Sequence, residues 1–145
     1  MVFLAGTVVF LVGVAVIYGI AGTLNMAELG AKWQSLPDDD RALFEGGAAI
    51  LGIAFLVKAG AWPLNFWLPN TYWSAGGPVA AVFSIMTKVG VYAVLRMGSL
   101  MHDPVAPAPF GGPWLFGCAI ATMAFGTLGM LGARHLTRLV AFTVI

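Results

Sequence analysis

Long apolar runs without charged residues dominate the chain. No charged residue occurs before Glu28, and none occurs between Asp103 and Arg134. A helix needs roughly 20 mostly apolar residues to cross a bilayer, so each of these runs is long enough to form a span. Two further apolar runs, 46–62 and 78–101, each contain one lysine. The pattern predicts an all-α, polytopic transmembrane helix bundle.

The boundaries of the runs predict four spans and the start of a fifth, in a single membrane domain over 1–145. The predicted spans cover residues 2–23, 42–67, 78–101 and 113–133, and a further span starts at 137–145. The second span should break near Pro63, because proline removes the hydrogen bond to the carbonyl four residues earlier, here that of Ala59. The seven residues after Arg138 are too few to cross a bilayer. We therefore expect the chain to be a fragment.

The segments between the predicted spans are polar or aromatic. The connection 25–41 contains three consecutive aspartates, and we predict a solvated loop whose aspartates also cap the next helix. After Pro63, aromatic residues alternate with polar ones, as they do at a membrane–water interface. His102, Asp103 and the proline-rich stretch 104–109 are predicted to form a loop.

Composition supports a lipid-facing surface and excludes several classes of function. Of the 145 residues, 60% are hydrophobic and 9% are charged, against about 25% charged residues in a soluble domain. The formal net charge of +1 gives no reason to expect nucleic acid. The single cysteine, Cys118, lies in an apolar run, and no metal-ligand spacing or phosphate-binding loop occurs. We predict no cofactor, no metal and no catalytic residue.

Lys88 is the strongest single signal for function. It lies ten residues after Pro78 and thirteen before Met101, so it is roughly 15 Å from the nearer end of the predicted helix. A lysine inside a membrane costs at least about 2.5–3.5 kcal/mol on insertion scales. Three polar residues lie within four positions of it and extend a polar stripe: Ser84, Thr87 and Tyr92. We interpret the stripe as a protonatable site in a hydrated path; the alternative is a hydrogen bond between helices of a bundle.

Lys58, just before the predicted break, has two interpretations. If the second span ends at Pro63, the Lys58 side chain extends to the nearby interface. If the helix resumes beyond the break, Lys58 lies deeper, in the kind of broken helix that lines hydrated cavities. Desolvation disfavours the charged form of a lysine, so a lysine there could exchange its proton near neutral pH. The residues alone leave both interpretations open.

Several segments, in order, resemble one family of membrane proteins. They are 18–25, 58–70 (KAGAWPLNFWLPN), 78–81, 85–92 (IMTKVGVY) and 136–145. These segments are similar to the antiporter-like proton-translocating subunits of respiratory NADH:quinone oxidoreductase and of multisubunit monovalent cation/proton antiporters. The residues at 65–69 and 86–90 look most like those of the D-type subunit of the Mrp/Pha antiporters. The resemblance covers essentially the whole chain.

The resemblance implies a transporter subunit rather than an enzyme, although its relation to the oxidoreductase allows a translocase label. In this family, the lysine of a broken helix and the lysine of the following helix lie in the proton path, and they match Lys58 and Lys88. Expected partners are the other subunits of a hetero-oligomeric antiporter complex, the lipid bilayer, protons and Na+ or K+. The expected location is the bacterial inner membrane, with the loop that holds Arg134 and Arg138 in the cytoplasm; the charges alone do not fix the orientation.

Two elements of the family pattern have no counterpart in this sequence. One is the glutamate that pairs with the first lysine, and the other is the later helix with an exit-side protonatable residue. Glu28 and Glu45 lie in or beside a connection and are poor substitutes, so we do not expect this chain to transport ions alone. Two alternatives stay open: a proton-translocating membrane subunit of NADH:quinone oxidoreductase, and a non-transporting helical assembly module in which both lysines are packing contacts.

Overall fold

The computed structural model describes residues 2–102 and 111–145, so Asp103 and the predicted loop 104–109 lie outside it. Within these residues the chain forms helices and no strand. The helices are α1 (Val2–Ala21), α2 (Met26–Ser35), α3 (Asp38–Ala59), α4 (Leu68–Ser74), α5 (Gly77–Leu100), α6 (Gly112–Leu131) and α7 (Leu136–Thr143).

Four of these helices are long and apolar enough to cross a membrane: α1, α3, α5 and α6. This confirms the predicted all-α fold with four spans, and α7 follows as the start of a further helix. The predicted break near Pro63 is also confirmed, because α3 ends at Ala59 and no helix resumes before Leu68.

Two short helices lie where the sequence predicted irregular connections. The start of α2 is capped by Asn25, whose Oδ1 accepts a hydrogen bond from the Ala27 N–H at 3.1 Å. The start of α4 has Pro69 in its first turn, where the missing N–H has no helical partner to lose. The predicted loop 25–41 is therefore wrong in part. Its three aspartates form the exposed first turn of α3, where negative charge is favourable, and Pro37 rather than an aspartate accepts the first helical hydrogen bond, from Arg41 at 2.9 Å.

Contacts divide the chain into two compact units, whose boundaries fall within α3, within α5 and at the start of α6. Unit 1 comprises Met1–Phe55 and Tyr92–Gly111, and unit 2 comprises Leu56–Val91 and Gly112–Ile145.

Glycines let α1 approach α3 closely in unit 1. A Cβ atom on Gly13 would lie 2.9 Å from the backbone nitrogen of Leu51, and one on Gly47 would lie 2.8 Å from Cγ1 of Val16. Small residues at helix contacts allow this approach, as is common in lipid. Around the contact lies a core of buried side chains: Ile17, Ala21, Leu29, Trp33, Phe44, Ala48, Leu51, Met97 and Met101.

A polar network closes the corner between α1 and α2, also in unit 1. Gly22, in the left-handed region with φ 66°, ends α1. Lys32 Nζ donates to the carbonyl of Ala21 and lies 3.3 Å from the Glu28 carboxylate. The Thr23 hydroxyl donates to Glu28 at 2.9 Å. This hydrogen bond, followed by the contact with Lys32, lowers the pKa of Glu28 below its usual value.

In unit 2, α7 packs against both α4 and α6. The ring of Phe142 occupies the space that a Cβ atom on Gly129 would need. Trp73 of α4 contacts the start of α7, where its ring centroid lies 5.4 Å from that of His135. The guanidinium carbon of Arg138 lies 4.9 Å from the same ring, within the range of a cation–π interaction. His135 and Arg138 are exposed, so an edge-to-face ring contact and a cation–π contact, rather than burial, hold this corner.

Candidate functional site

The candidate site is built around the break that follows α3, in unit 2. After Ala59 the chain forms turns until α4 begins at Leu68, and Pro63 lies within them. Gly60 opens the turn with φ 68°. A Cβ atom at this position would overlap the side chain of Leu68, so only glycine fits both the backbone conformation and the space.

Two long-range hydrogen bonds anchor the broken segment. The indole Nε1 of Trp67 donates to the carbonyl of Val57 at 3.1 Å, which ties the segment back to the last turn of α3. The backbone N–H of Trp62 donates to Oγ1 of Thr122 on α6 at 2.8 Å. The Thr122 hydroxyl in turn donates to the carbonyl of Cys118 at 2.6 Å. The break is therefore attached to both α3 and α6.

Lys58 lies in the last turn of α3, immediately before this break. Its side chain is half-buried. A positive charge is favourable here, because the carbonyl groups at a helix C-terminus carry partial negative charge. The helix ends just after Lys58, as one of the two interpretations assumed, but the chain then continues through the anchored turn into α4.

Lys88 lies in the middle of α5 and is exposed in this chain. Its Nζ donates to the carbonyl of Ser84, one turn earlier, at 3.3 Å. The Thr87 hydroxyl donates to the same carbonyl at 2.8 Å. Thr87 is 4% exposed, whereas Tyr92 is 64% exposed. Thr87 and Lys88 of the predicted polar stripe thus share the Ser84 carbonyl, but Thr87 is buried while Lys88 and Tyr92 are exposed.

The charged side chains of unit 2 are all basic. By sequence, this unit contains Lys58, Lys88, Arg134 and Arg138 and no aspartate or glutamate. Within 2–102 and 111–145, no group of three or more His, Cys, Asp or Glu side chains could hold a metal ion. A lysine amine that binds and releases a proton is the chemistry these residues can supply.

Comparison with known proteins assigns the chain to a family. The whole chain, residues 1–145, matches the family model described as NADH:quinone oxidoreductase/Mrp antiporter, transmembrane. The chain belongs to this family. Its place in the NADH:quinone oxidoreductase/Mrp antiporter family makes it a polytopic membrane protein, in agreement with the four candidate spans.

One relative of this chain is the D-type subunit of a probable K+/H+ antiporter of Rhizobium meliloti (strain 1021). The two sequences are 49% identical over 144 residues, which cover 98% of this chain and 27% of the relative. This similarity confirms the resemblance to the D-type subunits. The chain thus spans about a quarter of the length of that relative.

Two solved structures share the fold. One, with TM-score 0.81 and 33% identity, is the membrane-bound sulfane sulfur reductase, an archaeal respiratory membrane complex; the match covers 99% of this chain and 29% of that one. The other, with TM-score 0.75 and 30% identity, is the Mrp complex from Dietzia sp. DQ12-45-1b; it covers 99% of this chain and 26% of that one. Relatives in this family are therefore subunits of multisubunit membrane complexes.

Thr122 is the residue of the site that sequence reasoning missed. A single hydroxyl in an apolar span commonly donates to a carbonyl of its own helix, as Thr127 does to Ala124 at 2.9 Å. Thr122 makes that bond too, and nothing in one sequence indicates that it also accepts from a residue sixty positions away.

Proposed function

We propose that the chain forms part of the D-type subunit of a monovalent cation/proton antiporter of the bacterial inner membrane, and that Lys58 and Lys88 lie on its proton path. The observation that carries this proposal is the position of Lys58, half-buried in the last turn of a broken spanning helix. The 49% identity to the D-type subunit of a probable K+/H+ antiporter supports the choice of class. Four further residues have supporting roles in this proposal: Pro63, Ser84, Thr87 and Tyr92.

Broken helices at membrane depth are tolerated where protein covers them or where they line a hydrated cavity. In such surroundings water can reach the Lys58 amine, and the C-terminal carbonyl groups of α3 favour its charged form. A change in the charge of a neighbouring group would then weaken the binding of the proton to the Lys58 amine, and the proton would move to the next group. Lys88, on the following span, is that next group in our proposal.

Because Lys88 is exposed in this chain, its proposed role requires that other protein segments cover it. A lysine facing lipid at the middle of a span would cost at least about 2.5–3.5 kcal/mol. The matching relative is far longer than this chain. We propose that the remaining part of the protein, or another subunit of a hetero-oligomeric antiporter complex, encloses Lys88 together with Tyr92, and that Na+ or K+ moves against the protons in the assembled complex.

Alanine substitution of each lysine tests the proton path. Lys58→Ala and Lys88→Ala, made in the assembled protein, should lower cation-dependent proton flux in inverted membrane vesicles at least about tenfold, the equivalent of a barrier increase of about 1.4 kcal/mol. Lys32→Ala is the matched control, because Lys32 belongs to the polar corner outside the spans, and it should retain the flux. Normal flux with normal assembly in both spanning variants would favour the assembly module instead.

A second candidate, a membrane subunit of a redox-driven proton pump, is favoured by the TM-score of 0.81 to the archaeal respiratory complex. The same lysines would then carry protons under a different driving force. Proton flux that follows an electron donor, and co-purification with flavin or iron–sulfur subunits, would support this candidate. Flux that follows an imposed Na+ or K+ gradient supports the antiporter.

A further inference from the structure

We propose that Thr122 is a positioning residue for the proton path: its hydroxyl anchors the break in α3 and thereby fixes the helix end that carries Lys58. This inference rests on the proposed function of Lys58. It concerns a residue on a different span, α6, with a hydrogen-bond acceptor 2.8 Å from the Trp62 nitrogen.

The Trp62 N–H lies just past the end of α3, which Gly60 and Ala61 have already closed by donating to the carbonyls of Val57 and Leu56 at 3.3 and 3.1 Å. In a continuous α-helix it would donate to the carbonyl four residues earlier, which belongs to Lys58. Here it donates to Thr122 instead. The next residue, Pro63, has no N–H to offer. Thr122 therefore receives the last backbone donor before the proline, three residues after the end of α3.

The two hydrogen bonds of Thr122 are complementary. Its hydroxyl proton is directed at the Cys118 carbonyl of its own helix, at 2.6 Å, so a lone pair of the oxygen remains for the Trp62 N–H. A side chain of the same shape without the hydroxyl would leave the Trp62 donor without this acceptor. Serine, by contrast, would supply the same oxygen.

The apolar contacts beside this hydrogen bond do little to fix the orientation of the broken segment. An open groove of about 570 Å³ is lined by residues of both the turn and α6, and apolar atoms form most of its walls. Its lining includes Trp62 and Pro63 on one side and Trp114 and Cys118 on the other. Because apolar contact is not directional, the hydrogen bond to Thr122 is the contact that defines where Trp62 sits against α6.

Three variants of the assembled protein test this role. Thr122→Val should lower the maximal cation-dependent proton flux about tenfold, since a hydrogen-bond donor left unpaired in apolar surroundings commonly has an effect of this size. Thr122→Ser should restore the flux to within about twofold of the original. Thr127→Val is the matched control: Thr127 lies on the same helix and bonds to Ala124 of that helix, so its flux should be unchanged. Thr122→Ala, compared per assembled complex, replaces the valine variant if the latter assembles poorly.

Cys118 offers a local readout that does not depend on transport. It is the one cysteine of this sequence and lines the groove beside the Thr122–Trp62 bond. Alkylation of Cys118 by a small thiol reagent should be faster in Thr122→Val than in the original protein. Thr122→Ser and Thr127→Val should react at the original rate.

The outcomes separate this inference from the proposed function. Full flux in Thr122→Val, or equal loss of flux in the valine and serine variants, would overturn the role of Thr122. If Lys58→Ala loses flux while Thr122→Val keeps it, only the inference about Thr122 fails. Full flux in Lys58→Ala would reject the proton path itself, and with it the positioning role.

Discussion

The contacts that stabilise unit 1 internally differ from those that stabilise unit 2 internally. In unit 1, α1 approaches the α3 backbone through Gly13 and Gly47, and the helices are continuous. In unit 2, a spanning helix breaks, and the broken segment is anchored by the Trp67 indole, which donates to Val57, and by the Thr122 hydroxyl, which accepts from Trp62. Their charges differ as well, since all six acidic residues of the chain lie in unit 1 and four of its seven basic residues lie in unit 2. Unit 1 is therefore stabilised by close packing of its helices, whereas in unit 2 polar side chains supply hydrogen bonds where the helix is interrupted.

The largest expected effect comes from removing the glycine on which the break of unit 2 depends. Gly60→Ala places a Cβ atom on the Leu68 side chain and a non-glycine residue at φ 68°, so it should destabilise the protein by about 2–5 kcal/mol. Thermal unfolding of the purified protein in detergent measures this. Gly52→Ala, in open space within α3, should be neutral or stabilising by up to about 1 kcal/mol. Equal effects of the two substitutions would mean that the turn at Gly60 is not under this constraint.

The close helix contact of unit 1 should respond less strongly. Gly13→Ala brings a Cβ atom to 2.9 Å from a backbone nitrogen, and the helices must separate slightly, at a cost of about 1–3 kcal/mol. Gly19→Ala, on the same helix with no atom within 4 Å of the new Cβ, serves as the control and should gain up to about 1 kcal/mol. The same unfolding measurement applies. If Gly13→Ala is as stable as Gly19→Ala, α1 and α3 do not pack this closely.

A pair of tryptophans compares the two units directly. The indole N–H of Trp67 in unit 2 donates to Val57, whereas that of Trp33 in unit 1 is buried with no acceptor among the residues that the structure describes. Trp67→Phe should therefore destabilise the protein by about 1 kcal/mol more than Trp33→Phe. Unfolding midpoints of the two variants give the comparison, and the reverse order would contradict the anchoring of the break by Trp67.

The smallest expected effect is a pH dependence confined to the polar corner of unit 1. The Thr23 hydroxyl and Lys32 lower the pKa of Glu28 below its usual 4.5. Because the folded pKa is the lower one, the contribution of Glu28 to stability is fully present above pH 4.5 and is lost as the pH falls through the folded pKa. Glu28→Gln should lessen the dependence of the unfolding midpoint on pH below 4.5. An unchanged acid profile in this variant would show that the network does not stabilise the fold.

The long elements were predictable from sequence because their signal is repeated over many residues. Four charge-poor runs predicted the four spans, and the missing N–H of Pro63 predicted the place of the break. Helix α2 was missed because ten mostly polar residues carry little apolar periodicity, although Asn25 followed by Glu28 is a helix-start signal that was available. Helix α4 was missed because seven residues are too few for a periodic apolar signal, although Pro69 suits a first helical turn.

The candidate site was predictable only in part. Lys58 and Lys88 stand out because charge is rare within apolar runs, and their role stays a prediction. The inward position of Thr87, apart from the exposed Lys88 beside it, depends on how α5 is rotated, which no single residue type reveals. The contact between Thr122 and Trp62 depends on the packing of distant segments, so it required the structure.

The difference between Gly60 and Thr122 has a consequence for mutational drift. Every amino-acid substitution at position 60 introduces a Cβ atom where Leu68 already lies, so the only neutral base changes in that codon are synonymous ones. A threonine codon, in contrast, becomes a serine codon by one base change and keeps the oxygen that accepts from Trp62. Random mutagenesis followed by selection for a functional protein should therefore recover serine at position 122 and only synonymous changes at position 60.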